Sequence, residues 1–150
     1  MGKFNSVCVL GLGYIGLPTA SLLGTKGYVV VGVDVSQDVV DTINRGEIHI
    51  VEPDLDLLVK SAVNSGKLKA STLPSPADIF IIAVPTPFKE NHQPDLSYVE
   101  AATRAILPYL KPGNLVILES TSLFGTTDNV VEKIFKEEGS EKRKKEHDAD

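Results

Sequence analysis

The chain has 150 residues, 42% hydrophobic and 23% charged, with a formal net charge of -5, which suits one globular domain long enough to bury a core. The acidic balance argues against a nucleic-acid surface, because phosphate binding needs a concentrated basic patch, and no apolar run approaches the roughly 20 residues that span a bilayer. With Cys8 as the single cysteine, an internal disulfide is excluded, and the sequence shows no metal-ligand spacing. The N-terminus lacks the charged, apolar and small-residue order of a secretory signal. The expectation is a cytoplasmic protein with no membrane and no nucleic-acid partner.

Residues 6–10 form a short, almost continuously apolar run that stops at Gly11, the pattern of a parallel strand buried on both faces. After 11–16, Leu17, Ala20, Leu22 and Leu23 supply a helical stripe. Pro18 is tolerable there if the helix begins near Tyr14, since first-turn amides lack intrahelical acceptors. Residues 28–33 read as a second buried strand ending at Asp34. Ser36 then caps a helix carrying Val39, Val40 and Ile43, which stops near Gly46. A linking stretch leads to a helix over 55–63, closed near Gly66, and 68–71 is a candidate short strand. A clear strand spans 79–84, cut by Pro85 and Pro87. The polar loop 88–94 enters a helix over 95–110, with Ser97 and Glu100 at capping-box spacing and Pro108 making its last turn irregular. A turn at 112–114 leads to a strand over 115–119, and 125–135 reads as a final helix. Such alternation implies parallel pairing with right-handed crossovers. The fold class is therefore α/β, a Rossmann-type doubly wound parallel sheet of five or six strands, in the order 3-2-1-4-5, with helices on both faces. The domain should occupy 1–138. Residues 139–150 are charged and almost without apolar side chains, so they read as a solvated extension.

Gly11, Gly13 and Gly16 match G-x-G-x-x-G. Alone the pattern is weak, and a tight turn without a ligand would also produce it. Following a predicted strand and opening a predicted helix, it stands in the context of a dinucleotide site. Gly11 permits the turn, Gly13 lets the backbone approach a pyrophosphate, and Gly16 allows close helix–strand packing. The free amides and the helix dipole then stabilise phosphate charge. Asp34 lies 18 residues after Gly16 at the end of the second strand, where a carboxylate can accept both adenosine ribose hydroxyls and repel a 2′-phosphate. NAD is favoured over NADP. A helix-capping role for Asp34 is the alternative, although Ser36 already serves as a candidate cap.

The ends of the next two long strands, Val84–Pro85–Thr86–Pro87 and Glu119–Ser120–Thr121–Ser122, should open on the same edge. Their hydroxyls could bond a cofactor ribose or phosphate, or simply form turns beside proline. Cys8, inside the first strand, reads as a small buried hydrophobe. His49, His92 and His147 show no catalytic or metal-binding pattern and are expected to be exposed. Glu52 and Glu119 are the carboxylates adjacent to plausible site loops.

Residues 11–20 (GLGYIGLPTA), 84–87 (VPTP) and 119–122 (ESTS) together resemble the UDP-glucose/GDP-mannose dehydrogenase family. The stretches 40–55 and 82–89 are similar to its bacterial UDP-N-acetyl-D-mannosamine dehydrogenase branch, and the likeness covers about residues 6–135. The resemblance implies a two-step, four-electron oxidation of a sugar C6 alcohol to a carboxylate, consuming two NAD. It implies cofactor contacts from Tyr14 and Ile15 in the glycine loop, Asp34 on the ribose, Thr86, and Thr121 or Thr127 on the nicotinamide side. Two departures stand out. Val39 occupies a position where many relatives carry a basic residue, and Leu123–Phe124–Gly125 replaces a usual Pro-Val-Gly, which puts the position of Thr121 in doubt. Family members are also roughly three times longer, with a catalytic Cys and Lys in central and UDP-binding regions that this sequence does not contain. By resemblance, then, the chain holds no catalytic residue and would bind NAD without completing the oxidation of a UDP-sugar. It would act with a missing C-terminal half or as a homodimer. A non-catalytic NAD-binding module derived from the family is the alternative.

Overall fold

The alternation of side chains along the first strand sets the architecture. In the computed structural model, which describes residues 4–119 and Lys136, β1 (Ser6–Leu10) buries Val7 and Val9 in one apolar cluster and Cys8 and Leu10 in another. A strand dressed on both faces has to lie inside a sheet covered on both sides. Its parallel neighbours are β2 (Val29–Val33) and β4 (Ile79–Ile82). β3 (Leu68–Ser71) and β5 (Leu115–Leu118) pair outside them, again parallel. The order β3-β2-β1-β4-β5 is the expected one, with five strands among the described residues.

Helices α1 (Gly16–Thr25), α2 (Gln37–Asn44) and α3 (Leu55–Asn64) cover the face of Val7 and Val9. Their spacing explains the choice: Leu17 and Ala20, Val40 and Ile43, and Leu55, Val59 and Ala62 each fall on one side of their helix. α4 (Ser97–Ile106) covers the other face, setting Ala102 and Ile106 against Cys8, Phe80 and Ile82. The chain changes faces between β3 and β4, crossing back over residues 72–78 without a helix. Asp78 ends that crossover by accepting the amides of Asn5 (2.8 Å) and Ser6 (3.1 Å), which sets β4 in register beside β1. At the outer edge, the Asn44 side chain donates to the Ala70 carbonyl (3.0 Å) and accepts the Ala70 amide (2.8 Å). It thereby pairs β3 as a further strand would, satisfying edge groups that otherwise invite association.

Most element limits follow the sequence pattern, and the differences have local causes. α1 starts at Gly16 rather than Tyr14, because residues 13–15 are turned outward as a loop; Pro18 still falls in its first turn. The capping box at Ser97 and Glu100 does not form. Leu96 is the N-cap, Asp95 accepts the Ser97 amide (3.0 Å), and Glu100 pairs with Arg104 one turn on. Asp95 takes the Ser97 amide that the Glu100 side chain would have accepted, and the Glu100 amide, which the serine hydroxyl would have accepted, donates to the Leu96 carbonyl (3.0 Å) instead. Beyond Ile106 the irregular turn at Pro108 is a short 3-10 helix, Leu107–Tyr109. The predicted helix over 125–135, the departure at 123–125 and the division at residue 138 lie outside the described residues.

Candidate functional site

Ligands of open α/β sheets bind outside the carboxyl ends of the strands, where the strand order reverses. Here that point lies between β1 and β4. A cleft of about 540 Å³ opens there, walled by residues 11–15, Asp34 and residues 83–87. The candidates Gly11, Gly13, Tyr14, Ile15, Asp34 and Thr86 are all brought together at it; Gly16 opens the helix directly behind. Thr121 and Thr127 lie outside the described residues.

The three glycines differ in what they serve. Gly11 sits at φ +96°, and a Cβ there would come within 2.7 Å of the Ala83 carbonyl oxygen. A Cβ on Gly16 would collide with the Gly11 carbonyl oxygen. Both are required by the protein's own packing. Gly13 has no such reason, since a Cβ there would meet nothing within 4 Å. It faces open space at the cleft, and a group brought close to its backbone from outside is what a side chain would obstruct.

The helix end behind the loop is also open. The α1 N-cap, Ile15, offers no side-chain hydrogen bond, and the first turn holds no acid, whereas Ser36 caps α2 by accepting the Val39 amide (3.4 Å). The positive end of the α1 dipole therefore points at the cleft with no capping side chain and no acidic residue in the helix's own first turn. Tyr14 and Ile15 are exposed on the loop, with Tyr14 at 62%.

Asp34 has a structural part that the spacing alone did not reveal. Its Oδ2 accepts the Leu12 amide (3.2 Å) and its Oδ1 the Ser36 amide (3.0 Å). The carboxylate ties the glycine loop to the exit of β2, and Ser36, not Asp34, caps the helix. Two oxygens provide about four acceptor sites, so capacity remains for hydroxyl donors from a ligand. Leu12, whose side chain is fully buried against Gly32, was missed as a partner; the short reach from strand end to loop is visible only in the fold.

Thr86 Oγ1 is buried and has no hydrogen-bond partner among the described residues. An unsatisfied buried hydroxyl costs about 1–3 kcal/mol, so a hydroxyl left this way at a cleft wall fits a polar group arriving with a ligand. Cys8, the described histidines and Glu52 stand apart from the cleft. Cys8 is fully buried, and burial pushes its thiol up, only partly offset by a backbone hydrogen bond from Ser75. His49 and His92 are exposed and away from the cleft; His147 lies outside the described residues. Glu52 does not line the cleft. Val39 packs against the helix-covered core, which accounts for an apolar residue at that position. Among the described residues there is no cluster that could hold a metal ion and no helix long and apolar enough to cross a membrane.

A glycine loop, an uncapped helix end, a carboxylate at the next strand and an open hydroxyl at the fourth are the parts of a dinucleotide site. The model of the UDP-glucose/GDP-mannose dehydrogenase family, NAD binding domain, matches residues 5–150. The chain belongs to this family. It is 59% identical over 138 residues, 91% of its length, to a UDP-N-acetyl-D-mannosamine dehydrogenase of Campylobacter jejuni. It is 62% identical over 127 residues, 85% of its length, to an NDP-N-acetyl-D-galactosaminuronic acid dehydrogenase of Ralstonia nicotianae. Those alignments cover 34% and 30% of the two relatives, so the chain spans about a third of their length. The solved UDP-N-acetyl-mannosamine dehydrogenase of Staphylococcus aureus superposes with a TM-score of 0.85 at 43% identity, over 89% of this chain and 33% of that one. The fold and the NAD-binding assignment of the domain rest on this agreement.

Proposed function

We propose that this chain supplies the NAD site of a nucleotide-sugar 6-dehydrogenase whose substrate is UDP-N-acetyl-D-mannosamine. The observation that carries the reading is Gly13, which is a glycine for no reason internal to the protein. The pyrophosphate lies against the amides of Gly13, Tyr14 and Ile15 at the α1 N-terminus, Gly11 and Gly16 hold that loop in shape, and Asp34 accepts the adenosine ribose hydroxyls. Thr86, and by family resemblance Thr121 or Thr127, would contact the half carrying the nicotinamide. When bound, NAD accepts the hydride that leaves the sugar C6 in each of two oxidation steps. The residues of this chain bind and orient it.

Selectivity follows from charge. A 2′-phosphate would place two negative charges beside the Asp34 carboxylate, whose orientation is already set by two backbone amides. Among the described residues none is placed to act as the catalytic nucleophile. The second oxidation requires a thiolate to hold the aldehyde as a thiohemiacetal, and Cys8 is enclosed within β1 with its thiol form favoured. The sugar-binding and catalytic groups belong to a further C-terminal part, with which this domain works in the cytoplasm, as a homodimer or with that part as a partner. The substrate assignment draws on the UDP-N-acetyl-D-mannosamine dehydrogenases among the relatives.

Calorimetric titration of the purified chain with NAD and NADP, beside an Asp34→Ala variant, tests the site. Preferential NAD binding that weakens by about tenfold or more in the variant is expected. Absence of NAD binding by the wild type would reduce the glycine motif to a structural turn.

A further inference from the structure

One polar contact joins two elements across the carboxyl end of the sheet outside the cleft. The single Thr19 Oγ1 proton is shared between the two carboxylate oxygens of Glu119, at 3.3 and 3.2 Å, over a sequence separation of 100 residues. Threonine and serine inside helices usually satisfy their hydroxyls on the preceding turn. Ser21 does so on Leu17 O (2.8 Å) and Thr103 on Val99 O (2.7 Å). Thr19 instead reaches from the first turn of α1 to the end of β5. The Glu119 amide is pinned as well, donating to Ile82 O (2.8 Å), so both the backbone and the side chain of this residue are held.

The location gives the contact its meaning. Leu118 pairs with Ile82, which sets Glu119 beside Ala83, and Ala83 lines the cleft and packs against Gly16. A dinucleotide with its pyrophosphate on the glycine loop extends in opposite directions along the strand ends. Asp34, at the end of β2, marks the adenosine direction. β4 and β5 lie on the other side of β1, so the nicotinamide half runs toward them. Glu119 follows the last residue of β5 and directly precedes Ser120–Thr121–Ser122 in sequence.

Resting on the NAD-site reading above, we propose that Thr19 and Glu119 form a brace that positions the nicotinamide half of the site by holding the β5 exit against α1. Glu119 is a positioning residue in this account, acting through geometry rather than through its charge. The adenosine half, held by Asp34 at the far side of β1, does not depend on it.

Titration with NAD and with ADP-ribose, which lacks the nicotinamide, separates the two halves. Glu119→Ala and Thr19→Val should each weaken NAD binding by about tenfold and leave ADP-ribose within about twofold of wild type, which also reports an intact fold. Glu119→Gln keeps an acceptor oxygen for Thr19 and should bind NAD nearly as wild type does. Equal losses for both ligands, unchanged NAD binding in both variants, or a Gln variant as weak as the Ala variant would overturn the brace while leaving the cofactor site standing. A wild type that binds neither ligand would overturn the cofactor site and the brace with it.

Discussion

Replacing Gly13 with alanine separates what the glycine loop does for the fold from what it does for a ligand. A Cβ at this position meets no protein atom within 4 Å, and its backbone is not among the positive-φ residues. The substitution therefore removes unfolded-state entropy at no steric cost, a gain of about 0.4–1 kcal/mol. For a domain of this size that corresponds to a rise in Tm of about 1–4 °C. The same methyl would stand between the loop amides and a pyrophosphate. Loss of one charge-assisted hydrogen bond costs about 1.5–3 kcal/mol, so NAD affinity should fall by roughly 10- to 150-fold. Gly16→Ala provides the contrast. Its Cβ would run into the Gly11 carbonyl oxygen, and forcing the helix start away should cost about 3 kcal/mol or more, a fall in Tm of about 6–12 °C. Thermal unfolding by circular dichroism and calorimetric titration of both variants would read the two effects. A Gly13→Ala protein that binds NAD as tightly as wild type, or one destabilised as much as Gly16→Ala, would refute the reasoning.

Acid stability should depend on Asp78. The amides of Asn5 and Ser6 hold its carboxyl below the usual carboxylate range. A depressed folded pKa gives stability that is present above the unfolded value, near 4, and lost as pH falls through the folded value. Asp78→Asn should accordingly be less stable than wild type in urea at neutral pH, with the gap closing below about pH 4; a gap that stays constant with pH would argue against this role. The purified chain should also release no UDP-sugar uronate when supplied with NAD and UDP-N-acetyl-D-mannosamine, because Cys8 cannot reach a substrate. Uronate detected by mass spectrometry, and unaffected by Cys8→Ala, would show that a different group carries the oxidation.

Local chemistry determined much of this protein. The apolar runs at 6–10 and 79–82 are too short for helices and too continuous for a solvated strand, and they could only become inner strands of a parallel sheet. Glycines at 11, 13 and 16 between such a run and a helical stripe, followed by Asp34 18 residues later, pointed to strand ends that line one cleft in the fold. Ser36 was legible as a cap because capping is decided within one turn. Other features depended on residues far apart in the chain. The steric need for glycine at position 11 rests on the Ala83 carbonyl, which would lie 2.7 Å from a Cβ there. The second use of Asp34 arises because β1 and β2 end side by side, bringing the Leu12 amide within 3.2 Å of its carboxylate. Asn44 serves as a surrogate strand only where the end of α2 meets the edge of β3, and Thr19 finds Glu119 only once β5 is laid beside β4. Patterns of period and spacing specify elements and their ends. Which distant carbonyl, amide or hydroxyl then faces a given side chain is decided by packing, because those contacts do not exist until the sheet has formed.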